Sequence, residues 1–424
     1  MLRIIDARDA GRGVEPARDL PPEAVEGARA ILARVRADGD RALVELTLEH
    51  DGADVADGLR VGPEEVARAE EDLDPGLRRA LHRMAERLRD LHGRQLPASW
   101  ADERDGVRFG EVVRPLASVG CYAPGGRAAY PSTVLMTAIP ARVAGVPRVV
   151  LCSPPGPDGA VAATVLAAAA VAGVDEVYRL GGAQAVAAMA FGTPQVRAVD
   201  KIVGPGNVWV TAAKREVAGV VGIDGLAGPS ELAIVADGAA DPALLAADLV
   251  AQAEHDPLAR TVLVALDGSL PDRVDDALGA EVERSPRRDV VRRAVERSEA
   301  VVAPDEETAV RVVDRLAPEH VQLCVADPGA MLERLRSFGA AFLGSGTPVP
   351  FGDYGVGSNH VLPTMGTARF ASGLRAADFV TVASFVEASA SALGALGPEV
   401  ELVAAAEGLP GHARAVAMRR EGRP

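Results

Sequence analysis

The stretch Asp175–Thr193, "DEVYRLGGAQAVAAMAFGT", decides the fold class. It opens on a short β-branched and aromatic run, turns at Gly181-Gly182, and continues as an alanine-rich run with helical spacing. The same succession surrounds it. Short apolar runs "LASVGCYAP" (116–124), "RVVLCSPP" (148–155), "DKIVGPG" (200–206) and "ELAIVAD" (231–237) are separated by alanine-rich stretches. Strands alternating with helical patterns predict a parallel α/β sheet. Several of these strands end in glycine or proline, at Gly125-Gly126, Gly181-Gly182 and Gly204-Pro205-Gly206. In open α/β sheets ligands collect beyond strand C-termini, where glycine lets backbone approach a phosphate at a helix start. One such pair is an ordinary tight turn, whereas three in succession point to a nucleotide-type crevice. No GxGxxG followed by a ribose-binding acid occurs, so the standard dinucleotide fingerprint is absent.

Outward from this core the alternation resumes at about Thr261 with "TVLVAL", "EAVVAP", "VQLCVA" and "AAFLG", which predicts a second α/β domain. Residues 1–23 are rich in proline, arginine and acids, residues 24–95 carry long charged helical patterns, and the C-terminal fifty return to alanine-rich helix. No repeat of fixed period is visible. A chain of 424 residues with 48% hydrophobic content is long enough for two or more domains. Its net charge of −15, without a block of like charge, excludes nucleic acid as the natural partner. The start, "MLRIIDARDAGRG", lacks an apolar signal region, and the small-apolar run around 160–173 is too short to span a bilayer. A cytoplasmic protein with no membrane partner is expected.

The three cysteines, Cys121, Cys152 and Cys324, lie far apart in apolar settings and read as buried core thiols. The only lysines, Lys201 and Lys214, both fall in "VDKIVGPGNVWVTAAKRE". Lysine and arginine are not interchangeable, so either the two are surface neighbours by chance or at least one serves a site.

Histidine carries the strongest signal. His50, His82 and His92 sit among charged helical residues and read as solvated. The other four each stand near a carboxylate or amide: His255 beside Gln252 and Glu254, His320 beside Glu319, His360 beside Asp353 and Asn359, and His412 near Glu407. Four such pairings in a histidine-poor chain point to a metal or acid/base site. A helix capped at Asp241-Pro242 would put Gln252 and His255 three apart on one face, able to offer two ligands to one ion. Asp353 and His412 could complete an N/O set suited to zinc or a neighbouring divalent ion. Spacing does not choose them over Glu254 or Glu407.

The ordered succession "GCYAPGG", "STVLMTAIPARVAG", "GGAQAVAAMAFGT", "VDKIVGPGNVWVTAAKR", "AGPSELAIVAD", "DLVAQAEHDP", "PEHVQL", "GDYGVGSNHVLPT" and "AAEGLPGHARAV" closely resembles the histidinol dehydrogenase family, from roughly residue 25 to 418. The resemblance implies a zinc-dependent, NAD-linked oxidation of L-histidinol through L-histidinaldehyde to L-histidine, the last two steps of histidine biosynthesis, with one zinc per subunit. It assigns the zinc ligands to Gln252, His255, Asp353 and His412, and the acid/base pair to Glu319 and His320. Substrate contacts fall on Ser230, Gln252, His255, Glu319, His320, Asp353, Glu407 and His412, and NAD contacts on Tyr122, Gln184 and Asn207. His360 takes a supporting role. Two incomplete Rossmann-like α/β domains are implied, one inserted in the other. The first comprises 24–121 and 230–374, and the inserted NAD-binding domain 122–229. Small helical dimerisation segments, 1–23 and 375–424, flank them, the latter completing the partner subunit's site in a homodimer. Two departures from the family pattern, Cys121 beside Tyr122 and the Pro410-Gly411 pair before His412, leave the site residues in place.

The residue types suit that chemistry. His320 can take the alcohol proton as hydride leaves, and Glu319 can activate the water that hydrates the aldehyde. Adjacent side chains on a strand point oppositely, so Glu319-His320 must occupy a turn or strand end, which Pro318 permits. Neither Cys121 nor Cys152 has a partner for thiolate activation in its motif, which argues against a thiol route. A zinc hydrolase would use similar ligands without needing a nucleotide. A silent binding protein of this fold would be expected to lack a site residue, and none is missing.

Overall fold

The computed structural model of the protein describes residues 2–6, 20–125 and 129–422. Its strands are β1 (Arg3–Asp6), β2 (Trp100–Arg104), β3 (Val107–Pro115), β4 (Ser118–Tyr122), β5 (Arg148–Ser153), β6 (Glu176–Arg179), β7 (Lys201–Val203), β8 (Gly222–Ile223), β9 (Glu231–Ala236), β10 (Arg260–Ala265), β11 (Glu299–Val302), β12 (His320–Cys324), β13 (Ala340–Leu343) and β14 (Val380–Ala388). Nine of them, β4 to β7 and β9 to β13, fall on the apolar runs of the sequence. The chain divides into two compact units, Met1–Gln95 with Leu116–Phe379, and Leu96–Pro115 with Val380–Pro424.

The first unit holds two parallel sheets, ordered β6-β5-β4-β7-β8 and β1-β11-β10-β9-β12-β13. Every residue of β9 is buried, as expected of a parallel strand covered on both faces. One face, Leu232, Ile234 and Ala236, packs with Leu245 and Leu249 of helix Pro242–Ala253. The other, Ala233 and Val235, packs with Val312 and Val313 of helix Glu306–Leu316. Each buried leucine or valine contributes about 1.5–3 kcal/mol, so the strands that carry the polar site residues sit on a stiff core.

The helices of residues 22–93, which the sequence reading joined to 230–374, cover the five-stranded sheet instead. Leu32, Leu43 and Leu46 share a core with Tyr178 and Met189, and Leu81, Met84 and Leu88 share another with Leu135 and Leu151. Residues 7–19, most of the expected N-terminal dimerisation segment, lie outside the described residues, as does Gly126. The described β1 joins the edge of the six-stranded sheet, with Arg3 opposite Glu299.

The second unit is an antiparallel sheet, β14-β3-β2, with helices Ala390–Ala406 and Pro410–Arg420. The expectation of a wholly helical C-terminal segment needs this correction: residues 380–388 form a strand. The run "VTVASFVEA" has β-branched and aromatic residues suited to a pleated surface, and it pairs with β3 from Val380↔Pro115 to Ala388↔Val107. Among the described residues no helix is long and apolar enough to cross a membrane.

Candidate active site

The six-stranded sheet gathers its polar side chains at the N-terminal ends of its strands. His320 is the first residue of β12, and Glu319 precedes it as the sequence required. Both are held by the backbone of one residue on the neighbouring strand. The Glu231 N–H donates to Glu319 Oε2 at 2.9 Å, and His320 Nδ1 lies 3.3 Å from the Glu231 carbonyl. A carbonyl can only accept, so Nδ1 carries the proton and Nε2 the lone pair. Nε2 is buried without a hydrogen-bond partner among the described residues. The Phe342 ring stands 5.7 Å from the imidazole. Burial pulls the His320 pKa down to about 4, with Asp353 opposing. Burial also pushes the Glu319 carboxyl well above its usual range, and the nearby Glu231 and Asp353 carboxylates add to this against the hydrogen bond from Glu231. At neutral pH His320 is a neutral acceptor. A carboxylate with a raised pKa is a stronger base than one in water.

Helix Pro242–Ala253 starts as its sequence predicts: Asp241 caps it, its side chain accepting from the Ala243 N–H at 2.9 Å. It ends at Ala253, so Gln252 lies in the last turn and His255 just beyond it, its N–H reaching the Gln252 carbonyl at 3.3 Å. Asp248, one turn before Gln252, accepts from Gln322 Nε2 on β12 at 2.6 Å. This bond pins the helix end to the strand that carries His320. Sequence reasoning missed it, although an aspartate in the middle of "LLAADLVAQA" is a signal of a buried polar partner.

Asp353 ends the short helix Pro350–Asp353, and its Oδ2 lies 3.9 Å from His255 Nε2. His360 supports it from behind, with Nδ1 on the Asp353 carbonyl at 3.1 Å and Nε2 on Thr133 Oγ1 at 3.1 Å. Burial lowers the His360 pKa, which keeps the ring neutral for this two-ended role. Gln252, His255 and Asp353 line one cleft of about 750 Å³, together with Tyr130, Arg287 and Tyr354. Among the described residues no three His, Cys, Asp or Glu side chains gather as a ready metal site. The donor types nevertheless fit a borderline divalent ion: an imidazole, a carboxylate, and the Gln252 amide, which is 2% exposed with its Nε2 end unpartnered. Turning the amide by half a rotation offers its oxygen to the same place.

The remaining expected residues are distributed as follows. Ser230 immediately precedes β9, and its carbonyl accepts from the Arg260 N–H at 2.9 Å. Glu407 and His412 belong to the second unit, at the end of one helix and in the next, and both are exposed. Of the three cofactor candidates, Asn207 is exposed and caps helix Val208–Val217, accepting from the Trp209 and Val210 N–H groups. Tyr122 and Gln184 are buried behind the Gly181-Gly182 turn, where the Tyr122 hydroxyl accepts from the Gly182 N–H at 3.0 Å. Tyr122 thus holds the turn from behind, while Gln184 Nε2 donates to Asp51 Oδ2 at 3.4 Å. His92, expected on a solvated face, is fully buried between Gln95 and Asn359, and burial lowers its pKa. All three cysteines are buried. Burial pushes the Cys121 thiol up to about 12 and Cys324 to about 11, and it also raises Cys152. None is poised as a thiolate.

Comparison with known proteins identifies the family and the fold. The histidinol dehydrogenase family model matches residues 17–420. The histidinol dehydrogenase of Rhodospirillum rubrum is 49% identical over 395 residues, 92% of this chain and 91% of that protein. That of Moorella thermoacetica is 45% identical across 99% of this chain and all of its own length. The crystal structure of histidinol dehydrogenase from Elizabethkingia anophelis superposes with a TM-score of 0.94 at 31% identity, covering 99% of this chain and 98% of that one. The fold and these likenesses define an α/β oxidoreductase. More particularly, the chain belongs to the histidinol dehydrogenase family.

Proposed function

We propose that the protein oxidises L-histidinol through L-histidinaldehyde to L-histidine, the last two steps of histidine biosynthesis, reducing two NAD per turnover in the cytoplasm. The observation that carries this reading is the paired hold of Glu231 on Glu319 and His320, which leaves one buried imidazole lone pair beside one basic carboxyl. Gln252, His255 and Asp353, with His412, would hold one zinc per subunit, whose chemistry is to bind and orient the substrate's amine and imidazole nitrogens.

In the first oxidation His320 Nε2 takes the hydroxyl proton while the carbinol C–H leaves as hydride to the nicotinamide. Water then adds to the aldehyde, its proton passing to Glu319. His320, once its first proton has been released to solvent, takes a proton from the resulting hydrate anion as the second hydride departs to a second NAD, leaving the carboxylate. Ser230 and Glu407 would contribute further substrate contacts. The inserted domain, 122–229, would bind NAD along its glycine turns, near Tyr122, Gln184 and Asn207. The segment 375–424 would deliver Glu407 and His412 to the partner subunit's site in a homodimer.

The test is stoichiometric. Two NADH should form per histidinol consumed, with no free aldehyde, and chelation should abolish turnover until zinc is restored. One NADH per histidinol with released aldehyde would refute the two-step reading, and full activity without metal would refute the ligand set. Co-expressing His255→Ala with His412→Ala should recover about a quarter of wild-type activity by two-fold symmetry, and no recovery would place His412 in its own chain's site.

A further inference from the structure

We infer that the buried Lys214–Asp224 ion pair positions the Gly204–Asn207 turn for the nicotinamide dinucleotide, an inference that rests on the NAD reading above. Lys214 is one of only two lysines in the chain and is 2% exposed. From helix Val208–Val217 its Nζ donates to the Gly204 carbonyl at 3.0 Å and to Asp224 Oδ1. Asp224 follows β8 and accepts from the Gly204 N–H at 2.7 Å through Oδ2, and from the Gly225 N–H at 2.8 Å through Oδ1. The two charges therefore grip both the N–H and the carbonyl of one residue, the first after β7.

Gly204 is where such a grip has consequences. Its φ is +117°, and a Cβ there would stand 2.2 Å from the Tyr122 carbonyl oxygen, so the turn leaves β7 in close contact with the end of β4. Tyr122 in turn receives the Gly182 N–H on its hydroxyl. The ends of β4, β6 and β7 are thereby tied together, and the turn runs from the gripped glycine straight into Asn207 and the N-terminus of helix Val208–Val217. The Asn207 side chain takes the Trp209 and Val210 N–H groups of that terminus, so a pyrophosphate there would meet the backbone of the turn itself and the positive end of the helix dipole. A buried ion pair is a poor source of stability, because desolvating two charges offsets their attraction and an apolar pair of similar volume serves as well. What the pair supplies instead is direction, a donor and an acceptor fixed on a single peptide. The flexible lysine stem suits this place better than the planar arginine fork used nearly everywhere else in the chain.

The test compares Asp224→Asn, Lys214→Met and the double variant Lys214→Met/Asp224→Asn with the wild type. It uses calorimetric titration with NAD alone, steady-state kinetics and thermal melting. Positioning predicts that Lys214→Met weakens NAD binding by about tenfold or more and raises KM for NAD correspondingly, with KM for histidinol and zinc content changing less than about twofold. The double variant, free of an unpaired buried charge, should regain most of the melting temperature lost by Lys214→Met without regaining NAD affinity. Recovery of affinity together with melting temperature, or a folded Lys214→Met protein that binds NAD as the wild type does, would overturn the inference. So would failure of all three variants to fold, which would assign the pair to folding alone. Wild-type protein that binds no NAD would instead overturn the functional reading, and the inference with it.

Discussion

At the N-terminal edge of the five-stranded sheet, Glu176 opens β6 and is fully served. Arg148 donates twice, at 3.0 and 3.1 Å, Arg197 once at 2.8 Å, and the Tyr178 hydroxyl once at 2.8 Å. At the same edge of the six-stranded sheet, Glu231 opens β9 beside Arg260 on β10, but Arg260 reaches Glu299 at 3.1 Å. Glu231 accepts from the Met365 N–H at 3.2 Å, and its Oε2 is buried without a hydrogen-bond partner among the described residues. The Arg148 hydrogen bond, chiefly, lowers the Glu176 pKa to about 2, while burial raises that of Glu231 to about 7 against the attraction of Arg260. Two glutamates that open parallel strands thus titrate on opposite sides of their ordinary value. The lesson is that the position of cations, not the strand edge itself, decides whether a carboxyl is structural cement or a base. Glu319, held by the backbone of Glu231, shares the poorly neutralised edge.

The contrast breaks first at His320. If that edge is the catalytic one, His320→Asn should lower kcat for both oxidations by about 10²–10⁴-fold while the circular dichroism spectrum stays unchanged. A loss below tenfold would move the base elsewhere. Glu319→Gln should act more selectively, slowing histidinaldehyde oxidation about 10²-fold and histidinol oxidation to the aldehyde less, because only the second step needs activated water. The sign with pH follows from the raised Glu319 pKa: the ionised base is lost as pH falls through that value. The aldehyde step should therefore fail on acidification at a higher pH than an ordinary glutamate would allow, and the variant should lose that limb. Equal losses on the two substrates would contradict the division of labour.

How much of this could be read from the chain differs between the two sheets and the antiparallel unit. The strands β4 to β7 and β9 to β12 are buried on both faces or nearly so, and a doubly buried strand must be an apolar run, which is visible; β13, at the sheet edge, is an apolar run that is only partly buried. Strands β2 and β14 are largely exposed and β3 is mostly half-buried, and β14 pairs with a strand more than 260 residues upstream, so neither composition nor local spacing announces them. His92 was hidden by its charged neighbours, yet Leu81, Met84, Ala85 and Leu88 share its buried helix face, and the helical period alone would have put it inside. Scarce histidines beside a carboxylate or amide singled out the candidate motifs, but spacing left Glu254 and Glu407 open, and the choice among them came from the family resemblance. The part played by Glu231 was not legible, because its N–H and carbonyl act through strand register, which no side chain encodes. Lys214 was marked only by its rarity.

The smallest expected effects are on stability, and they should run in opposite directions with pH. Glu176 has a folded pKa below its ordinary value of 4.5, so its contribution is fully present above that value and is lost as pH falls toward about 2. Glu176→Gln should therefore lower the melting temperature near pH 7, with the deficit shrinking as the wild type is acidified below about pH 4. A shift of this size corresponds to at most about 3 kcal/mol, or a few degrees in a protein of this length. Glu231 has a folded pKa above its ordinary value, so its contribution is present at low pH and is lost as pH rises from 4.5 through about 7. Glu231→Gln keeps an oxygen for the Met365 N–H and removes the buried charge. The melting temperature of this variant minus that of the wild type should be more positive at pH 8 than at pH 5. Melting curves at those pH values decide the matter. Parallel pH dependences for the two substitutions would mean that the two strand edges are electrostatically alike and that the poorly neutralised carboxyl does not distinguish the catalytic one.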